Sequence, residues 1–260
     1  MLLAVDAGNT NLVFALVDDG EIRARWRIAT DPRRTADEYA VWLHQLLVLE
    51  GYSKADVGAV IIGTVVPRAL HNLEVLASKY FGVTPLVAGE APVEWGIALD
   101  VAEPRSVGAD RVLNTIAAHE AHPGDLIVID FGTATTFDAV TAKGEYLGGA
   151  ITPGITISMD ALSRNASKLP RVEFARPPQV IGKNTVHSMQ SGLVFGYVSL
   201  VDGICERMKK DLGPGSGGRE VKVFATGGLA PLIASESKAI EEVDEFLTLE
   251  GLRLIHERNQ

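Results

Sequence analysis

The sequence predicts an α/β protein made of two similar halves with a cleft between them, and three observations predict it. Short apolar runs rich in branched residues alternate with helix-forming segments, as buried strands and their connecting helices do. The 260 residues exceed one ordinary domain and suit two modest ones. Sliding the chain by 124 positions lays Leu3-Ala4-Val5-Asp6-Ala7-Gly8 over Ile127-Val128-Ile129-Asp130-Phe131-Gly132 and Gly20-Glu21 over Gly144-Glu145. Each half thus reads strand, Asp-x-Gly turn, strand, Gly turn. A second echo follows in the same order, Ala59 to Pro67 against Val221 to Pro231, so a duplicated unit is expected.

Taken in order, strands are expected at Leu2 to Val5, Val60 to Ile62, Leu126 to Ile129 and Val221 to Ala225. Thr35-Ala-Asp-Glu38 is a capping box that opens a helix running to Glu50, where Gly51 supplies the stop. Further helices are expected at Leu70 to Tyr80, Gly108 to Glu120, Thr185 to Lys210 and Leu249 to Glu257. The division falls into domains 1–117 and 118–260, the last helix with the second.

Composition narrows the function classes. Hydrophobic residues at 47% and charged residues at 22% are enough for a real core. The balance of 24 Lys+Arg against 33 Asp+Glu, with no dense basic run, disfavours nucleic acid as a partner. A single cysteine, Cys205, excludes internal disulfides and thiolate zinc sites, and its place in an apolar-periodic helix reads as core. The N-terminus lacks a basic region and places Asp6 where a signal peptide needs apolar residues, and the longest apolar block, Val57 to Val66, is too short to span a bilayer. No membrane partner is expected, and the cytoplasm is the expected compartment.

Two familiar nucleotide motifs fail on context. Gly213, Gly215 and Gly218 match G-x-G-x-x-G, yet they follow a helix and precede a strand, so the stretch reads as a connector. Gly182-Lys183 is followed by Asn184, which denies a P-loop. His119 and His122 are three apart, without the i, i+4 spacing of a helical zinc pair. The Pro-containing stretch Leu169 to Lys183 reads either as a flap or as a long connection.

The chemistry-bearing residues lie at the duplicated turns. In Asp6-Ala7-Gly8-Asn9-Thr10 the glycine lets backbone N–H groups approach an anion closely, while Asn9 and Thr10 add donors. Such a turn alone also makes an ordinary hairpin. Its repetition as Asp130-Phe131-Gly132-Thr133-Ala134-Thr135-Thr136 favours a polyphosphate clamp, with Asp6 and Asp130 suited to hard cations such as Mg²⁺, directly or through water. Thr226-Gly227-Gly228 ends a strand and leaves room for a flat ring, or is merely the turn before Pro231. Gly108-Ala109-Asp110-Arg111 begins a helix. Asp110 there is either a residue that suits the helix dipole or a base for a substrate hydroxyl, with Arg111 steadying anionic charge.

Taken together these residues resemble the type III pantothenate kinases of the acetate and sugar kinase, Hsp70 and actin superfamily. The resemblance rests on Asp6-Ala-Gly-Asn-Thr-Asn11, Gly108-Ala-Asp-Arg111, Asp130 to Thr136, Gly148-Gly-Ala-Ile-Thr-Pro-Gly154, Gly182-Lys-Asn-Thr185, Thr226-Gly-Gly228 and Leu249-Glu-Gly-Leu252, and runs nearly end to end. It implies two ribonuclease-H-like, actin-like ATPase domains and ATP-dependent phosphorylation of pantothenate to 4′-phosphopantothenate, the first step of coenzyme A biosynthesis. Asp6, Ala7, Gly8, Asn9, Thr10, Asn11, Leu12, Val13 and Thr133 would contact the nucleotide, with Gly227 and Gly228 near adenosine. Gly108, Ala109, Asp110, Arg111 and Thr185 would hold pantothenate, Asp110 as proton acceptor. Asp130 would ligate K⁺ or NH₄⁺, with Mg²⁺ accompanying ATP, and the enzyme would be a homodimer. Where the family usually has a tyrosine, seven residues before Gly108, this chain has Val101. That departure leaves a different small alcohol as the alternative acceptor. Two further alternatives are a nucleotide-binding transcriptional accessory protein and a phosphohydrolase.

Overall fold

Two mixed sheets of five strands organise the computed structural model, which describes residues 1–213 and 220–260. The first contains β1 (Leu2–Ala7), β2 (Asn11–Asp18), β3 (Glu21–Ala29), β4 (Ala59–Thr64) and β5 (Leu86–Val87) in the order β3-β2-β1-β4-β5. The second contains β6 (Leu126–Phe131), β7 (Ala134–Val140), β8 (Tyr146–Pro153), β9 (Lys222–Thr226) and β10 (Glu242–Val243) in the order β8-β7-β6-β9-β10. In both, the first three strands form an antiparallel meander and the fourth and fifth run parallel to the first. Order and direction repeat, as the duplication predicts, in a two-unit α/β architecture.

The repeat is not rigidly in step. Asp6 pairs with Val13 across its hairpin and Asp130 with Thr136, so the second turn is one residue shorter. The next loop restores the count, since four residues separate Val17 from its partner Ile22 and five separate Val140 from Tyr146. A gapless match in sequence therefore conceals two compensating slips.

The helices are α1 (Ala36–Leu49), α2 (Pro67–Val75), continued by a π turn over Leu76–Phe81, α3 (Ala109–Ala121), α4 (Ile155–Asn165), α5 (Thr185–Leu212), α6 (Ala230–Ala234) and α7 (Leu247–Arg258). At the start of α1 the Glu38 N–H donates to Thr35 Oγ1 and the Thr35 N–H donates to Glu38 Oε2, the reciprocal capping box, and Gly51 follows at φ +83°. The second helix begins at Pro67 rather than Leu70, because proline is pre-shaped for the first helical position. The short helix α4 was not foreseen. Its N-cap is Gly154 with no side-chain cap, and Ile155 is its one buried residue, so neither a capping nor a burial signal marks it.

The chain divides into two compact units. One comprises Met1–Ala98, Ala102–Ala117 and Leu247–Gln260, the other Leu99–Val101 and Ala118–Phe246. The closing helix α7, placed with the second half from sequence, thus packs in the first. In that first unit Leu3, Val5, Phe14 and Leu16 meet Tyr39, Leu43, Leu47 and Leu73 on one face of the sheet. On the other face Leu113 of α3 and Leu252 of α7 press on Gly63, whose absent side chain would meet them at 2.9 and 3.1 Å. A Cβ on Gly251 would stand 2.3 Å from the Leu113 carbonyl oxygen, and Thr248 Oγ1 donates to Asn114 Oδ1 at 2.7 Å. In the second unit Ile127, Ile129 and Phe137 meet Val201, Cys205 and Ile233.

The stretch Leu169 to Lys183 has no helix or strand but is tied down. Val172 packs with Met189 and Leu193, Gln190 Nε2 donates to Glu173 O at 3.1 Å, and the Ser191 hydroxyl donates to Val180 O. Of the expected connector, Gly213 closes α5 by donating to Lys209 O at 2.9 Å, whereas Gly215 and Gly218 lie outside the described residues. Among the described residues no helix is long and apolar enough to cross a membrane.

Candidate active site

Parallel strands present their carboxyl ends to one edge of a sheet, where ligands of open α/β folds gather. Asp6 lies near that end of β1, and the turn beyond it closes when the Gly8 N–H donates to Asn11 O at 3.0 Å. Asn9 and Thr10 are exposed at its tip, while Ala7 and Leu12 are buried beneath it. Val65, just past β4, donates its N–H to Ala7 O at 3.2 Å. The same residue brings the second motif alongside, because its Cγ1 lies 3.5 Å from the point a Gly108 side chain would occupy. The first turn and Gly108 to Arg111 therefore share one edge of the first sheet.

Asp110 sits in the first turn of α3, and its Oδ1 accepts the Arg111 N–H at 2.8 Å. A Cβ on Gly108 would stand 2.6 Å from that oxygen, so a side chain there would displace the carboxylate. Asp110 is half-buried, and loss of solvent around its carboxyl pushes the pKa above the ordinary value, against the smaller opposing pull of the Arg111 N–H and guanidinium. A carboxylate so raised is a stronger base than a solvated one. Arg111 follows it, half-buried.

In the second unit Asp130 pairs with Thr226, the last residue of β9. A Cβ on Gly227 would lie 2.8 Å from Asp130 Oδ1 and 2.7 Å from the Phe131 carbonyl oxygen. A carboxylate and a carbonyl oxygen thus converge beside a backbone at φ +92°, which only glycine adopts readily. Oxygen donors of this kind suit a hard cation, so the residues fit the cation expected at Asp130. Among the described residues no group of three His, Cys, Asp or Glu side chains could hold a metal ion. Gly228 is open, with nothing within 4 Å of where a side chain would begin.

Thr133 is exposed at the tip of the second turn, and Thr135, fully buried, has a hydroxyl with no hydrogen-bond partner among the described residues. Thr185 is exposed in the first turn of α5, beside the N-cap Asn184. Val101 lies in the second unit, where its Cγ1 stands 3.4 Å from the side-chain position of Gly148. The position of the usual tyrosine is thus taken by a small residue packed on β8.

Two braces of these turns carried little sequence signal. Thr30 Oγ1 donates to Gly8 O at 2.6 Å and the Thr30 N–H to Thr10 O at 3.0 Å. The Gly154 N–H donates to Thr133 O at 3.1 Å. The duplication relates the two positions, since Thr30 and Gly154 stand 124 apart, but the residues differ and neither is marked in the sequence as a brace.

Comparison with known proteins bears on the family and the fold. A family model described as type III pantothenate kinase matches residues 2–207. A protein of Rhizorhabdus wittichii named type III pantothenate kinase is 61% identical over 260 residues, covering 99% of this chain and 98% of its own. One of the same name from Myxococcus xanthus is 57% identical over 259 residues, covering 100% and 99%. Among solved structures, a Campylobacter jejuni protein assigned to the Baf family of transcriptional activators aligns over 99% of this chain and 98% of its own, at 19% identity and a TM-score of 0.59, a likeness of fold alone.

Proposed function

The chain belongs to the type III pantothenate kinases, and from that premise we propose which of its residues perform the family's reaction. The protein is a phosphotransferase that converts pantothenate to 4′-phosphopantothenate for coenzyme A biosynthesis. Phosphoryl transfer needs in-line positioning and charge neutralisation more than covalent help. The backbone of Asp6 to Val13 and the Thr133 hydroxyl hold the ATP phosphates, and Gly227 with Gly228 makes room for adenosine. Gly108, Ala109 and Thr185 seat pantothenate, Asp110 takes the proton from its primary hydroxyl, and Arg111 offsets negative charge on the transferred group.

Asp130, with the Phe131 carbonyl, would hold K⁺ or NH₄⁺, and Asp6 would serve the Mg²⁺ that accompanies ATP. The divalent ion, when bound with ATP, neutralises phosphate charge. The observation that carries the assignment is the convergence, through Val65, of the Asp6 to Thr10 turn and the raised Asp110 carboxyl on one sheet edge.

We further propose a cytoplasmic homodimer joined through α5. A side chain at Gly192 or Gly196 would meet nothing within 4 Å, and the groove of about 670 Å³ between α4 and α5 is lined by Leu162, Met189, Leu193 and Tyr197. Sedimentation of wild type and Gly192→Glu checks it, with an unchanged mass removing this face as the interface.

The test of the reaction is ADP release from ATP and Mg²⁺, with and without pantothenate, in K⁺ and in Na⁺. Release that requires pantothenate and K⁺ supports the whole reading. Release without acceptor makes the protein a hydrolase, and turnover of another alcohol alone reassigns the acceptor pocket beside Val101.

A further inference from the structure

Thr30 stands one residue past β3 and Gly154 one residue past β8, at the displacement that relates Asp6 to Asp130. Each donates its backbone N–H to the tip of the adjacent glycine turn, Thr30 to Thr10 O at 3.0 Å and Gly154 to Thr133 O at 3.1 Å. The halves then diverge. In the first, Thr30 Oγ1 also donates to Gly8 O at 2.6 Å. In the second, a Cβ on Gly154 would lie 2.6 Å from Gly132 O and 2.2 Å from Thr133 O, so no side chain fits where the Thr30 hydroxyl works.

Peptide geometry gives this hydroxyl its consequence. In a trans peptide the C=O and the following N–H point in opposite directions. Holding Gly8 O therefore fixes the Asn9 N–H, and holding Thr10 O fixes the Asn11 N–H, both directed away from Thr30. Asn9 is at the exposed tip, where an anion has access.

We infer that Thr30 is a positioning residue of the kinase reaction: by anchoring the Gly8 and Thr10 carbonyls it aims the N–H groups of the first turn at the nucleotide phosphates. The inference rests on the reading above that this turn holds ATP. Thr30 acts only through the turn, so its loss weakens ATP more than pantothenate. The loss of one neutral hydrogen bond of this kind corresponds to roughly a three- to tenfold change.

The test is steady-state kinetics of the full chain for Thr30→Val, Thr30→Ser and Gly8→Val, with melting temperatures alongside. Thr30→Val is expected to raise KM for ATP about three- to tenfold with KM for pantothenate unchanged, and Thr30→Ser, which keeps the donor, to restore it. Should Thr30→Val melt too low to assay, Thr30→Ala against Thr30→Ser makes the same comparison. Thr30→Val kinetics like wild type, while Gly8→Val raises KM for ATP, overturn the inference and leave the turn as the ATP site. An equal rise in both KM values, or a loss confined to kcat, also overturns it. If Gly8→Val leaves KM for ATP unmoved, the reading of the turn itself fails.

Discussion

The carboxylate of Asp130 and the bare Cα of Gly227 are packed so closely that a methyl group on the glycine would stand 2.8 Å from Asp130 Oδ1. The same methyl would be 2.7 Å from the Phe131 carbonyl oxygen, and the backbone there has φ +92°. Gly227→Ala is thus opposed by both sterics and strain, at a cost of about 1–3 kcal/mol. We expect a lower melting temperature together with a weakened response to K⁺. Wild-type K⁺ activation in a folded Gly227→Ala protein would separate this pair from the cation.

Asp130→Ala removes the carboxylate and leaves the Phe131 carbonyl. It is expected to abolish the difference between K⁺ and Na⁺ along with most activity. The assay is ADP release over a K⁺ titration, and a variant activated by K⁺ like wild type counts against Asp130 as the ligand.

Asp110→Asn is expected to lower kcat roughly 10²-fold or more, the usual contribution of a positioned base. The pH profile of kcat/KM should lose activity as pH falls through a pKa above the ordinary 3.8, since burial raises it. Stability runs the other way. A carboxyl whose folded pKa is raised binds its proton more tightly in the native state, so its stabilisation is present at low pH and is lost as pH rises through the folded pKa. At neutral pH Asp110→Asn should melt above wild type, with the gap closing in acid. A lower melting temperature would show that Asp110 serves the fold.

Gly251→Ala would push a Cβ to 2.3 Å from the Leu113 carbonyl oxygen, which belongs to a helix backbone and has little room to move. Overpacking of this kind costs roughly 1–3 kcal/mol. A chain of this size should melt several degrees lower, roughly 2–4 °C for each kcal/mol. A wild-type melting curve would mean that α3 and α7 separate freely.

Cys205 is fully buried among Val201, Ile129 and their neighbours, and burial pushes its thiol pKa up to about 12. The native protein should resist a thiol reagent at neutral pH and react once unfolded. Fast labelling of the folded chain, followed by mass spectrometry, would contradict this packing.

Much of the fold was legible because its signals are local. The capping box at Thr35 and Glu38, the stop at Gly51 and the branched cores of β1 and β6 each need only neighbours in sequence. Helix α4 was invisible because glycine caps it and one residue is buried, and the start of α2 was missed through Pro67. At the site, Asp6, Asp110 and Asp130 stood out by motif. Thr30 did not, since a lone threonine after a strand has no pattern of its own, and its part depends on a carbonyl 22 residues away.

The sequence by itself determined the duplication, the core strands β1, β4, β6 and β9, most of the helices and the family, because apolar period, turn chemistry and repeated motifs are written residue by residue. Only the tertiary structure decided that α7 packs with the first unit, that Val65 joins Ala7 to the Asp110 motif, and that Asp130 lies against Gly227. These are contacts between segments far apart in the chain, set by which surfaces exclude water and fit without overlap, and no local pattern encodes such a fit.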